Sequence, residues 1–320
     1  MARVTLLRTV LSAFFLGCSA TPHPGADGGE PGGLPERFDA GPAQSGKDAG
    51  LDGGELDAGL VANRPYRFKV PAAYDPAKPT PLVILFHGYG STGAAHDAYF
   101  GLSQLADART FLLATPDGTM DASARRFWNA SDACCNYGNA PVDDVAYFHD
   151  LVDDVQRRYN VDPRRIFAIG HSNGGFMAHR LACDASHRLA GIASLAGAAW
   201  KDGSRCQPMQ RLAVLEVHGD QDTTVLYGGG QFGGVAYPSA VETVSGWANR
   251  NGCAAGPRNT NMPLDLVSTL FGAETRIEVF DGCAGGAVEL WTIQGGSHIP
   301  ALNANGSPAL YDFLMQHPKP

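Results

Sequence analysis

The chain has 320 residues, 44% of them hydrophobic and 18% charged, with a net charge of −8. That composition fills one large core or two modest domains. The acidic balance, with no lysine- or arginine-rich run, argues against a nucleic-acid groove, and no internal apolar stretch reaches the roughly 18 residues of a membrane span.

Residues 1–20 have the layout of an export signal. Arg3 and Arg8 supply positive charge, and Val10 to Gly17 is a short apolar run. Phe15-Leu16-Gly17-Cys18 resembles a bacterial lipobox, with Cys18 as the lipidated residue. Simple cleavage after Ala20 is the alternative, and it removes Cys18. Residues 21–62 are dominated by Pro, Gly, Ala, Asp and Glu, with Asp-Ala-Gly recurring at Asp39, Asp48 and Asp57. Such a segment buries too little apolar surface to fold, so a disordered tether is expected there. The folded domain is expected over 63–320.

Within that domain Tyr66-Arg67-Phe68-Lys69-Val70 alternates and predicts an edge strand. Pro81–Phe86 and Phe111–Ala114 predict buried strands. Val145, Phe148, Leu151, Val152 and Val155 recur at helical spacing, with Asp143 and Asp144 as favourable helix-start residues. Ile166–Ile169, Ala190–Leu195, Leu212–Gly219 and Val288–Ile293 are further apolar strands. Ser239 to Asn251 predicts a helix with Val241, Val244 and Trp247 on one side. Strands alternating with helices indicate an α/β domain, a mainly parallel sheet with helices on both faces.

The most informative stretch follows Ile166–Ile169. Gly170-His171-Ser172-Asn173-Gly174 fits G-x-S-x-G between a strand and a helix, the setting that holds a serine out as a nucleophile. An ordinary turn with an N-capping serine is the competing reading. A serine hydroxyl needs a base and an acid that orients the base. Asp220 and Asp222 both follow the strand ending at Gly219. The spacing H-G-x-x-D favours Asp222 as the acid and leaves Asp220 to cap the turn. His298, in a glycine-rich loop after the last strand, completes the order Ser, Asp, His. Two backbone amides are expected to hold the developing oxyanion. Asn173 follows the nucleophile, and Tyr89 sits in His87-Gly88-Tyr89-Gly90 after an early strand; Gly88 and Gly90 are the alternatives to Tyr89. Tyr89 and Trp128 are expected to wall the acyl pocket.

Seven cysteines occur, and six remain once Cys18 is set aside: Cys134, Cys135, Cys183, Cys206, Cys253 and Cys283. An even number in an exported protein predicts disulfides. Cys253 and Cys283 flank one late stretch and are expected to pair. Cys134 and Cys135 are expected to engage Cys183 and Cys206, with a vicinal 134–135 bond as the alternative. No C-x-x-C pair or H-E-x-x-H is present, so a metal site is not expected. The serine chemistry needs no cofactor.

From Tyr66 to Leu310 the chain resembles bacterial secreted esterases of the polyhydroxybutyrate depolymerase type and the related feruloyl esterases of carbohydrate esterase family one. The resemblance rests on Phe86-His87-Gly88, Trp128-Asn129 with Cys134-Cys135, and Val142-Asp143-Asp144-Val145. It also rests on Gly170–Gly175, Leu181-Ala182-Cys183, His218-Gly219 with Asp222, and Gly296-Ser297-His298. It implies an α/β-hydrolase fold and a serine esterase with Ser172, Asp222 and His298 as its triad. The implied substrates are hydroxycinnamoyl esters of plant polysaccharide, with polyester as the runner-up. Two departures flank the site: Leu226, where relatives often have proline, and Ile299, where many have tryptophan. A serine peptidase and a non-catalytic carbohydrate-binding protein are the readings from other classes. The expected partner is an ester substrate, with no nucleic acid, and with membrane contact only through a lipid on Cys18. Nothing in the sequence fixes the oligomeric state.

Overall fold

A strand covered on both faces must be apolar on both faces, and helices must supply the cover. Thr80–Phe86 and the Ile166–Ile169 run satisfy that requirement. In the computed structural model, which describes residues 56–61 and 64–320, both lie in the middle of a ten-stranded sheet. The export segment, Cys18 and the tether as far as residue 55 fall outside the described residues.

In chain order, β1 (Leu56–Val61) and β2 (Arg64–Lys69) form an antiparallel pair, followed by β3 (Thr80–Phe86). Helices α1 (Gly93–Phe100) and α2 (Leu102–Arg109) lead to β4 (Leu112–Pro116). A short ribbon of β5 (Thr119–Met120) and β6 (Arg126–Phe127) precedes α3 (Asp144–Arg158). Then β7 (Val161–His171), α4 (Asn173–Asp184), β8 (Gly191–Leu195) and β9 (Ala213–Gly219) follow. A second ribbon, β10 (Gly230–Phe232) with β11 (Val235–Tyr237), leads to α5 (Ala240–Asn251). The chain closes with β12 (Pro257–Asn259), β13 (Thr275–Phe280), β14 (Val288–Ile293) and α6 (Gly306–Met315). All belong to one unit, Leu51–Pro320.

The sheet order is β1-β2-β4-β3-β7-β8-β9-β14-β13-β12. The six strands from β4 to β14 run parallel, and the flanking pairs are antiparallel. Alternation along each strand divides the core. Leu82, Ile84 and Phe86 point to the face covered by α3, α4 and α5, while Val83 and Leu85 point to the face covered by α2 and α6. Each fully buried Leu or Phe contributes about 1.5–3 kcal/mol. The carboxyl ends of β3, β7, β9 and β14 share one edge, where open α/β sheets carry their sites.

Several expectations change. Residues 56–61, expected in the tether, add a strand to the sheet edge through backbone pairing with β2; such pairing needs no apolar side chains. Val241 is exposed, and the buried face of α5 is formed instead by Val244, Trp247 and Ala248. Asp143 caps α3 by accepting from the Val145 and Ala146 amides. Asp144 is no cap: it is buried, and accepts from Arg64 Nη1 and the Asn129 amide, each at 2.7 Å.

Cys253 and Cys283 are bonded, as expected. The expected engagement of Cys134 and Cys135 with Cys183 and Cys206 does not occur. Cys134 bonds Cys135, and Cys183 bonds Cys206. The reason is distance. Cys134 Sγ lies 3.5 Å from the side chain of Asn173 at the start of α4, whereas Cys183 sits about 15 Å further along that helix at 1.5 Å per residue.

Candidate active site

Ser172 joins β7 to α4 with φ 55° and ψ −121°. A non-glycine residue with positive φ is uncommon, and this one costs on the order of 1–3 kcal/mol. The turn is tight enough that a Cβ at Gly170 would lie 2.0 Å from the Gly174 carbonyl oxygen, and one at Gly174 would lie 2.0 Å from the Phe86 carbonyl oxygen. Ser172 occupies the N-cap position, yet its side chain makes no capping hydrogen bond. Its hydroxyl donates instead to His298 Nε2 at 2.9 Å. The competing reading, a plain capping serine, therefore fails.

His298 Nδ1–H donates to Asp222 Oδ2 at 2.7 Å. The other oxygen, Oδ1, accepts from the Thr224 and Val225 amides at 2.8 and 2.9 Å. Burial opposes charge on Asp222, but bonds from His218 and His298 outweigh it and hold the carboxyl below the usual carboxylate range. Asp220 has no hydrogen bond or ion pair to His298; its Oδ1 accepts from the Gly295 amide at 2.7 Å. Of the two candidate acids, Asp222 is the one hydrogen-bonded to His298.

His298 is itself held from behind. His171 Nε2–H donates to the His298 carbonyl at 2.8 Å, and the Tyr99 hydroxyl to the Pro300 carbonyl at 2.7 Å. Burial pushes His171 down to about 4, partly opposed by that carbonyl bond. Burial, with His171 and His87 nearby, pushes His96 down to about 3. The neutral imidazoles fit the fold, so the folded state binds fewer protons than the unfolded chain. Their stabilisation is full above about pH 6.5 and is lost as pH falls towards 4. For His171 the loss should be on the order of 3 kcal/mol. Urea midpoints at pH 7 and pH 4.5 should therefore diverge more for the wild type than for His171→Gln; equal acid losses would contradict this.

In the early loop, the amides of Gly88 and Gly90 are both engaged. The Gly88 amide donates to His96 Nε2 at 3.1 Å, and the Gly90 amide to the Arg126 carbonyl at 2.8 Å. Among the described residues, the amides of Tyr89 and Asn173 have no protein acceptor. The Asn173 side chain locks its own residue to Trp128, accepting from the Trp128 amide at 2.7 Å and donating to its carbonyl at 3.0 Å.

Trp128 does not wall a pocket. It is 0% exposed, its Nε1–H donates to the His87 carbonyl at 3.0 Å, and it packs edge-on against Phe86. A buried tryptophan holds the loop scaffold rather than touching a ligand. Tyr89 is half-buried and meets Tyr137 edge to face at 5.7 Å, with Tyr137 55% exposed. The Tyr89 hydroxyl donates to Asp121. Tyr137 is absent from the residues expected from sequence, as is a buried group under Asp222, Glu216 with His218. That pair had a readable signal: two ionisable residues at a spacing of two share one face of an otherwise apolar strand.

Fold and geometry together define an α/β-hydrolase of the carboxylesterase type. The family described as phospholipase/carboxylesterase matches residues 139–243, a span that holds Ser172 and Asp222. In sequence the chain is similar to feruloyl esterases and to a polyhydroxyalkanoate depolymerase. It is 27% identical to feruloyl esterase B of Piromyces equi over 261 residues, covering 79% of this chain and 45% of that protein. It is 25% identical to poly(3-hydroxyalkanoate) depolymerase C of Paucimonas lemoignei over 242 residues, covering 73% of this chain and 53% of that one. It thus spans about half the length of both relatives. An acetyl xylan esterase from Aspergillus awamori shares the fold with a TM-score of 0.59 and 15% identity, covering 81% of this chain and 100% of that one.

Proposed function

We propose that this protein is an exported serine carboxylic-ester hydrolase acting through an acyl-enzyme. The observation that carries the reading is the unbroken chain from Ser172 through His298 to Asp222, beside two amides with no protein acceptor. Ser172 Oγ attacks the ester carbonyl as its proton passes to His298 Nε2. Asp222 holds His298 in the tautomer that leaves Nε2 free to accept, and stabilises the imidazolium that forms. The amides of Tyr89 and Asn173 receive the charge that develops on the carbonyl oxygen. His298 then protonates the leaving alcohol, and water, activated the same way, releases the acid.

For the acyl group the preferred reading is a hydroxycinnamoyl ester of plant polysaccharide. Similarity to a feruloyl esterase supports it, as does the exposed Tyr137 ring beside Tyr89. Stacking of a planar acyl group contributes about 0.5–1.5 kcal/mol beyond area burial, or up to roughly tenfold in kcat/KM. The second reading, polyester hydrolysis, rests on the similarity to a depolymerase. With purified protein at pH 7.5, methyl ferulate should exceed the methyl ester of a 3-hydroxybutyrate trimer in kcat/KM. Tyr137→Ala should narrow the gap. A clear preference for the trimer would reverse the substrate assignment and leave the serine chemistry untouched.

Export rests on residues 1–20, with lipid attachment at Cys18 or cleavage after Ala20, and with residues 21 to about 55 as the spacer. The mass of the mature N-terminus, with and without a diacylglyceryl group, separates the two.

A further inference from the structure

Beneath the serine–histidine–aspartate chain lies a second buried chain that the reaction as written does not use. His218, 1% exposed, makes two hydrogen bonds. Nδ1 faces Glu216 Oε1 at 3.1 Å, and Nε2 faces the Val225 carbonyl at 2.8 Å. A carbonyl oxygen can only accept, and an ionised carboxylate can only accept. Both ring nitrogens must then carry protons, which makes His218 an imidazolium. Burial opposes charge on Glu216, but hydrogen bonds from His179 and His218 outweigh it and hold the carboxyl below its usual range, in the ionised form. Glu216 is wholly buried and its other oxygen accepts from His179 Nε2 at 2.9 Å; His179 Nδ1 accepts from Trp247 Nε1–H at 3.0 Å, so His179 has its proton on Nε2. His218 Nε2 also stands 3.4 Å from Asp222 Oδ2, the same oxygen that takes the proton of His298.

We propose that His218 is a positioning residue, a standing imidazolium held by Glu216 that keeps Asp222 ionised and oriented towards His298. The inference rests on the esterase reading given above. Two effects follow. The bond to the Val225 carbonyl fixes the turn whose Thr224 and Val225 amides bind the other oxygen of Asp222. The cation also offsets part of the negative charge that His298 sees, so that His298 releases its proton more readily. The charged and titratable groups facing His218 are consistent with this. They are Glu216 on its own strand, Asp222 on the following turn, His179 on α4 beyond Glu216, His171 on β7 and His298 beyond Asp222. Tyr227 presents its ring perpendicular to the imidazole at 5.7 Å. Burial opposes the cation, but the bonds to Asp222 and Glu216 outweigh it and raise His218 to about 9.

The test uses the full chain in three forms: wild type, His218→Gln and Ser172→Ala. In 15N-histidine NMR of the wild type at pH 8, one imidazole should have both nitrogens protonated, and that signal should vanish in His218→Gln. The variant should lose about tenfold or more in kcat, the scale of one buried charge interaction, with KM little changed. Its acid limb of kcat/KM should move up by about half a pH unit or more, because Asp222 now acts on His298 without the opposing cation. A merely structural role would lower activity without moving that limb. A spectrum with every histidine neutral at pH 8 overturns the proposal, as does a folded His218→Gln with the wild-type pH profile. If the variant does not fold, the native spectrum decides. Ser172→Ala keeps the two claims apart: ester turnover that survives in it sinks the esterase reading itself, whatever His218 does.

Discussion

Ser172→Ala should lower ester turnover by about 10⁶-fold, the scale seen when a triad serine is removed. The hydroxyl is the only atom lost, and it makes one side-chain hydrogen bond, to His298. No cap of α4 depends on it. Alanine must still adopt the positive φ of the turn, so the strain stays and the fold should be retained. Circular dichroism and a thermal melt would establish that. A folded variant keeping more than a few per cent of the activity would remove Ser172 from the nucleophile role.

Asp222→Asn should cost about 10⁴-fold in kcat. An amide in place of Oδ2 presents a donor to His298 Nδ1, which then accepts, and Nε2 keeps the proton it must give up. The buried His218, 3.4 Å from the same oxygen, loses a charged neighbour as well. Asp220→Asn should cost much less, within about tenfold by the same free-energy scale. Asp220 Oδ1 accepts from the Gly295 amide in the loop before His298 and from the Gln221 side chain, and an amide oxygen can still accept from both. Purified variants assayed on a p-nitrophenyl ester separate the two. A reversed order would put Asp220 in the acid's place.

Much of this fold is readable because the central strands are buried on both faces. Ile166–Ile169 advertises that with an unbroken apolar run and Val288–Ile293 with a largely apolar one; the second matches its strand at both ends, while the first lies inside a strand that begins at Val161. The order Ser172, Asp222, His298 along the chain is equally readable, since each sits just past such a run. What escapes are features decided by long-range neighbours. Trp128 lies on a loop, and only the positions of Phe86 and His87 show that its ring is enclosed. Asp144 looks like a helix-start acid until Arg64, 80 residues away, is brought to it. Strand β1 has the composition of a tether, and pairs through a backbone that composition does not describe. The vicinal Cys134–Cys135 bond becomes evident only once Cys183 is seen at the far end of α4.

The most direct test of the central claim is stoichiometric labelling with a fluorophosphonate, followed by intact-mass measurement and peptide mapping. Such a reagent traps an activated serine by mimicking the tetrahedral state, and needs the base and the oxyanion donors as much as the nucleophile. The expected result is one adduct per chain, on the peptide holding Ser172, with loss of esterase activity in proportion and no adduct on Ser172→Ala. An active protein that takes no adduct, or takes it at another residue, would contradict the account.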